Sequence, residues 1–153
     1  MKATGLILIV ATALSLAGLS TGLAAGGSAS RAAMVSTAKT NLGKIIVNGS
    51  GLTLYLFEKD KRGKSACSGA CAGYWPPLLT HGKAMAAGGA KQALLGTIKR
   101  SNGSRQVTYS GHPLYTYVLD TKRGQTKGEG SKLFGAGWDA LTPAGKKIEH
   151  DSH

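Results

Sequence analysis

Asp60 and Asp120 are the residues of this chain whose type and spacing come nearest to chemistry. The chain has only seven acidic residues, and these two recur in the same setting, Asp60-Lys61-Arg62-Gly63 and Asp120-Thr121-Lys122-Arg123-Gly124. Two carboxylates that met between repeats would hold a cation or divide acid and base work. A hydrolase built on them would need the carboxyl groups roughly 5–10 Å apart. The setting also suits an Asp that opens a turn and accepts backbone N–H bonds across it, and that is the preferred reading.

Cys67 and Cys71 are the only cysteines. In an exported chain they are expected to form a disulfide, worth roughly 2 kcal/mol for so short a loop on the loop-entropy account. Redox-active or metal-bound thiols are the alternatives. Cys-x-x-x-Cys lacks the thioredoxin-like spacing, and no Cys-His follows to attach haem. His81, His112, His150 and His153 are scattered; the last two offer at most a weak Cu²⁺ or Zn²⁺ site. There is no Gly-x-Ser-x-Gly, no His-Glu-x-x-His and no phosphate loop. No catalytic residue, metal ligand or cofactor is assigned, and the reading leans away from an enzyme.

The aspartates close a stretch that occurs twice, sixty positions apart: Leu54-Tyr55-Leu56-Phe57-Glu58-Lys59-Asp60 and Leu114-Tyr115-Thr116-Tyr117-Val118-Leu119-Asp120. Both read Leu-Tyr-x-aromatic-x-x-Asp. Alternation puts Leu52, Leu54 and Leu56 on one face of a strand and Thr53, Tyr55 and Phe57 on the other; both faces carry bulk, so the strand should be covered on both sides. Tyr115 and Tyr117 likewise share a face. Aromatics at strand spacing are expected to pack; exposed and coplanar, they would instead form a platform for a sugar ring or apolar ligand.

The surroundings repeat too. Asn48-Gly49-Ser50-Gly51 should turn Gly43–Val47 back on Leu52–Phe57 as a hairpin, and Ser110-Gly111 should turn Arg105–Tyr109 into His112–Val118. Leu95-Gly96-Thr97-Ile98 echoes Leu42-Gly43-Lys44-Ile45, and Trp138-Asp139-Ala140-Leu141 answers Trp75-Pro76-Pro77-Leu78. Trp75 and Trp138 are expected core residues. Two copies are too few for a solenoid. The expected fold is all-β, two tandem antiparallel units packed about a pseudo-twofold axis.

The start of the chain reads as a secretory signal. Met1-Lys2 is basic, Leu6–Leu19 is apolar but short for a span, and Gly22-Leu23-Ala24-Ala25 is a cleavage-type run. The expected organisation is 1–25 signal peptide, 26–41 flexible mature start with a short edge strand near Met34–Ala38, 42–79 first repeat, 80–94 connector, 95–145 second repeat and 146–153 polar tail. No later segment is apolar enough to span a bilayer.

The formal charge is +12, from 19 basic and 7 acidic residues; losing Lys2 with the signal takes it to +11. Such a surplus favours polyanions. For an exported protein these are anionic envelope polymers and glycans rather than nucleic acid. The lysines are spread along the chain, which suits a diffuse basic surface.

Together these strings resemble the bacterial secreted repeat of unknown function, or lipoprotein repeat, with its Tyr-x-(Phe/Trp/Tyr)-x-x-Asp motif. Tyr55, Phe57, Asp60 and Tyr115, Tyr117, Asp120 carry the match, supported by Cys67–Cys71, Trp75–Leu78, Gln106–Tyr109, Gly111–Tyr115 and Trp138. The likeness runs from about Leu42 to Thr142. It implies an exported, β-rich, two-copy envelope protein, periplasmic or extracellular, without an established activity. A loose link of some relatives to alkane utilisation finds no support in these residues. The chain lacks the lipidation cysteine of the lipoprotein members. The function expected is a non-enzymatic binding or structural module; the alternative is a metal- or redox-linked protein using Cys67, Cys71, a histidine and the repeated aspartates.

Overall fold

The computed structural model describes residues 31–149, together with Gly5. The rest of the signal segment 1–25, residues 26–30, and the tail histidines His150 and His153 lie outside the described residues.

Over the described residues the fold is all-β with one short helix. Strands β1 (Met34–Thr40), β2 (Gly43–Asn48) and β3 (Tyr55–Phe57) precede helix α1 (Ala70–Tyr74). Then come β4 (Met85–Ala86), a 3₁₀ turn at Gln92–Leu94, β5 (Leu95–Lys99), β6 (Arg105–Tyr109), β7 (His112–Pro113), a 3₁₀ turn at Leu133–Gly135 and β8 (Trp138–Ala140). They form three small sheets, in the orders β2-β1-β4, β3-β8 and β5-β6-β7. All pairings are antiparallel except the two-residue contact of β1 with β4.

The first strand differs from expectation. It runs to Thr40 and lies inside its sheet, between β2 and β4, rather than at an edge. The β1–β2 hairpin has its counterpart in β5–β6, so the first repeat begins with β1. The Leu42-Gly43 and Leu95-Gly96 strings are therefore not equivalent: one enters the second strand of its hairpin and the other enters the first.

The Asn48–Gly51 turn forms. Asn48 Oδ1 accepts the N–H groups of Ser50 and Leu52, both at 3.0 Å, and Gly51 takes φ +83°, where a side chain would be strained. The expected hairpin beyond it is brief. Val47 bridges Thr53, and then β3 leaves to pair with β8. In the second unit Ser110 and Gly111 both adopt positive φ, the type I′ geometry that matches strand twist, and join β6 to β7.

The two repeats exchange strands. β3 of the first pairs with β8 of the second, setting Phe57 opposite Trp138. Reciprocally, Thr116 and Val118 donate N–H bonds to Pro76 and Tyr74, placing the Trp75 run beside the second motif. Ile46 N–H reaches Leu141 C=O, and Val107 N–H reaches Leu78 C=O. Each Trp-x-x-Leu run thus completes the sheet of the other repeat.

Side-chain alternation then sorts the core into two clusters. Leu54, Leu56 and Leu114 join Val35, Ile46, Val107, Tyr109 and Leu141 on one side. Tyr55, Phe57, Tyr115 and Tyr117 join Trp75, Trp138, Ile45, Val47 and the two cysteines on the other. The motif strands are covered on both faces, which explains why neither face is polar.

Candidate functional site

The repeated motif lies at the pseudo-twofold axis. Tyr55 and Tyr115 face each other across it and exchange both main-chain bonds, Tyr55 N–H to Tyr115 C=O at 2.8 Å and Tyr115 N–H to Tyr55 C=O at 3.0 Å. Directly opposed residues project to the same side of a sheet, so both phenols enter one cluster.

Their hydroxyls cross over. Tyr55 donates to Asp120 Oδ2 at 2.5 Å, and Tyr115 donates to Asp60 Oδ2 at 2.7 Å. The second oxygen of each carboxylate accepts a turn N–H, from Ala66 to Asp60 and from Lys127 to Asp120. One residue more separates donor from acceptor in the second turn, where Thr121 is inserted. Each Asp therefore does two jobs: it ties its own loop and anchors the tyrosine of the other repeat. All four carboxylate oxygens are engaged.

Each phenol oxygen also accepts a bond. Tyr55 takes the Gly128 N–H at 3.2 Å. Tyr115 lies 2.6 Å from Ser65 Oγ, and because its own proton goes to Asp60, Ser65 is the donor. Burial, above all, pushes both tyrosines far above their ordinary values, and the adjoining aspartates reinforce this. Burial also raises the Asp60 carboxyl, against the opposing pull of Ala66 N–H, Tyr115 and Arg100.

The aromatic rings form a column. Phe57 stacks on Trp138 at 4.1 Å, Trp138 on Trp75 at 3.9 Å and 3° between planes, and Trp75 on Tyr117 at 4.2 Å. Tyr55 and Tyr115 close it edge-on, against Trp75 and Trp138. Each such contact adds about 0.5–1.5 kcal/mol beyond area burial. The column is internal: Tyr55, Tyr115, Trp75 and Trp138 are fully buried, and Phe57 and Tyr117 nearly so. The motif rings offer no exposed platform. The exposed aromatics are Tyr74 and Phe134, whose rings meet at 5.9 Å outside the motif.

Gly128 is fixed by this packing. A Cβ there would fall 2.7 Å from Trp75 Cη2 and 2.9 Å from Tyr55 Cζ. Sequence reasoning missed Gly128, as it missed Arg100. The half-buried Arg100 binds Gln106 Oε1 at 2.6 Å, Ser65 Oγ at 3.0 Å and Cys67 C=O at 2.6 Å. It ties the cysteine loop to β6. Cys67 and Cys71 form a disulfide inside the aromatic cluster. Among the described residues no three His, Cys, Asp or Glu side chains converge as a metal site, and His112 lines a cleft beside Asp60 without being bonded to it.

The family described as a secreted repeat of unknown function matches this chain twice, over residues 36–79 and 96–142. The chain belongs to that family. Its matched segments begin in β1 and in β5, the equivalence already drawn from the hairpins. No curated protein and no solved structure gives a match. The family's secreted character makes this an exported protein.

Proposed function

We propose that the protein is a non-enzymatic envelope module that holds an anionic polymer on a basic surface. One observation carries this reading: the fold segregates its charges. Asp120 and Asp139 are buried, and Asp60 and Glu129 are partly withdrawn. Among the described basic residues only Arg100 is not exposed. Lys132 and Lys147 both lie within ion-pair distance of one carboxylate, Glu58. The surface is therefore more cationic than the net charge of +12 conveys. A surface field of this kind concentrates polyanions and speeds their capture.

The repeated motif supports the same reading by what it does instead of chemistry. Its aspartates anchor tyrosines and its aromatics fill the core, which leaves recognition to the exterior. The test is binding of purified mature protein to lipoteichoic acid, lipopolysaccharide and a neutral glucan by calorimetry across a salt series. Binding to the anionic polymers that falls steeply with salt, with none to the glucan, is expected. Salt-independent binding, or equal binding to the glucan, would overturn it.

A further inference from the structure

Two arginines occupy matching places. Arg62 and Arg123 each follow a motif aspartate by way of a basic residue, and each lies over the turn glycine of the other repeat. Arg123 Cγ, Cδ and Nε come within 2.8–3.1 Å of where a Cβ on Gly51 would stand. Arg62 Nε and Cγ come within 3.8–3.9 Å of the same point on Gly111. Both glycines have positive φ, +83° and +82°, so backbone and neighbour alike favour glycine at Gly51.

Each arginine borders a cleft. The Arg123 cleft, about 390 Å³, is completed by Lys39, Asn48 and the β1 residues 36–38. The Arg62 cleft, about 130 Å³, is completed by Lys61, Ser110 and His112, and Asp60 lines it as well. Asp60 has both oxygens engaged by Ala66 and Tyr115. Neither arginine has a carboxylate partner among the described residues.

One lysine of a like-charge pair lines each cleft, Lys39 beside Arg123 and Lys61 beside Arg62. Lys39 stands directly opposite Lys44 in the β1–β2 ladder. Lys61 stands directly opposite Lys64 across its turn. Directly opposed like charges are destabilising, and an anion between them relieves the cost. An arginine beside them adds the planar fork that fits an oxyanion.

We propose that these clefts are two related seats for oxyanion groups, phosphate or carboxylate, of one linear polymer. The proposal rests on the polyanion reading above and gives it an address. Since the repeats are locked together, the seats are rigidly spaced, and a polymer filling both gains from an effective concentration that a single anion lacks.

The test uses inorganic polyphosphate and polyglucuronate of graded lengths, with monophosphate as reference, on mature wild type, Arg62→Ala, Arg123→Ala, and the charge-matched controls Lys91→Ala and Lys99→Ala. Thermal melts establish that each variant is folded. Long polymer should bind wild type at least tenfold tighter per anion than monophosphate. Each arginine variant should lose that advantage, about tenfold or more, and each lysine control less than threefold. Preference between the two polymers distinguishes phosphate from carboxylate seats. Equal losses in arginine and lysine variants would overturn the seats while leaving the diffuse basic surface standing. Absence of any polymer binding to wild type would overturn both.

Discussion

Tyr55 gives its hydroxyl proton to Asp120, sixty-five positions away, and not to Asp60 of its own motif. Tyr115 returns the arrangement by donating to Asp60. The motif is thus a clasp between repeats. Single changes such as Tyr55→Phe or Asp120→Asn should cost about 1–3 kcal/mol, because each leaves a buried polar partner unsatisfied. In double-mutant cycles read by urea unfolding, coupling of at least about 0.5 kcal/mol is expected for Tyr55 with Asp120 and for Tyr115 with Asp60. Tyr55 with Asp60 should be smaller. Stronger coupling within a motif than between motifs would contradict the clasp.

Alkali should unfold the protein through the same tyrosines. Their folded values lie above the unfolded value of about 10, since the buried phenolate is disfavoured. The stability they contribute is complete below about pH 10 and is lost progressively as pH rises above that toward the folded values. Each contributes a slope approaching about 1.4 kcal/mol per pH unit there. Urea midpoints between pH 9 and 12 should fall steeply for wild type. They should fall less steeply for Tyr55→Phe with Tyr115→Phe, relative to that variant's own stability at pH 8.

The stacked tryptophans should not tolerate replacement equally. Trp138 Nε1 donates to Leu133 C=O at 2.8 Å, whereas Trp75 Nε1 is buried with no acceptor. Trp138→Phe loses ring area and a hydrogen bond; Trp75→Phe loses ring area and also removes an unsatisfied donor. Trp138→Phe is expected to be the costlier by about 1 kcal/mol or more in equilibrium unfolding. The reverse order would show that ring packing, not the indole N–H, governs the column.

Reducing the Cys67–Cys71 bond should weaken the fold without abolishing it. The closed loop is short, so the loss is about 2 kcal/mol on the loop-entropy account. The Arg100 bond to Cys67 C=O uses main chain and survives reduction. Near-UV circular dichroism of the Cys67→Ala, Cys71→Ala protein should retain the aromatic signal, with a lower urea midpoint. Loss of that signal would make the bridge a condition of the fold.

Much of the architecture was legible in the sequence because a strand's period of two is local. Tyr55/Phe57 and Leu54/Leu56 fall into the two core clusters that alternation assigns. The β6–β7 hairpin followed from Ser110-Gly111. What was illegible depends on chain path. Nothing local says that Tyr55 meets Asp120 rather than Asp60. β1 looked peripheral because Met34–Thr40 is polar and weakly alternating; β4, which flanks it, is only two residues long. The Leu-Gly echo misled because two-residue strings recur without structural equivalence. Arg100 is one basic residue among many until the cysteine loop folds over it.

The reciprocal exchange of strands and hydroxyl bonds has a consequence for assembly. One unit alone carries a tyrosine without its carboxylate, a tryptophan without its stacking mate and a β3-type strand without its neighbour. A chain with a single unit would have to borrow all three from a second molecule, as an obligate homodimer in which every contact is made twice. The two-unit chain makes the contacts of such a dimer within one polypeptide. Within one polypeptide the halves need not be identical, and Cys67 and Cys71 stand in one half only.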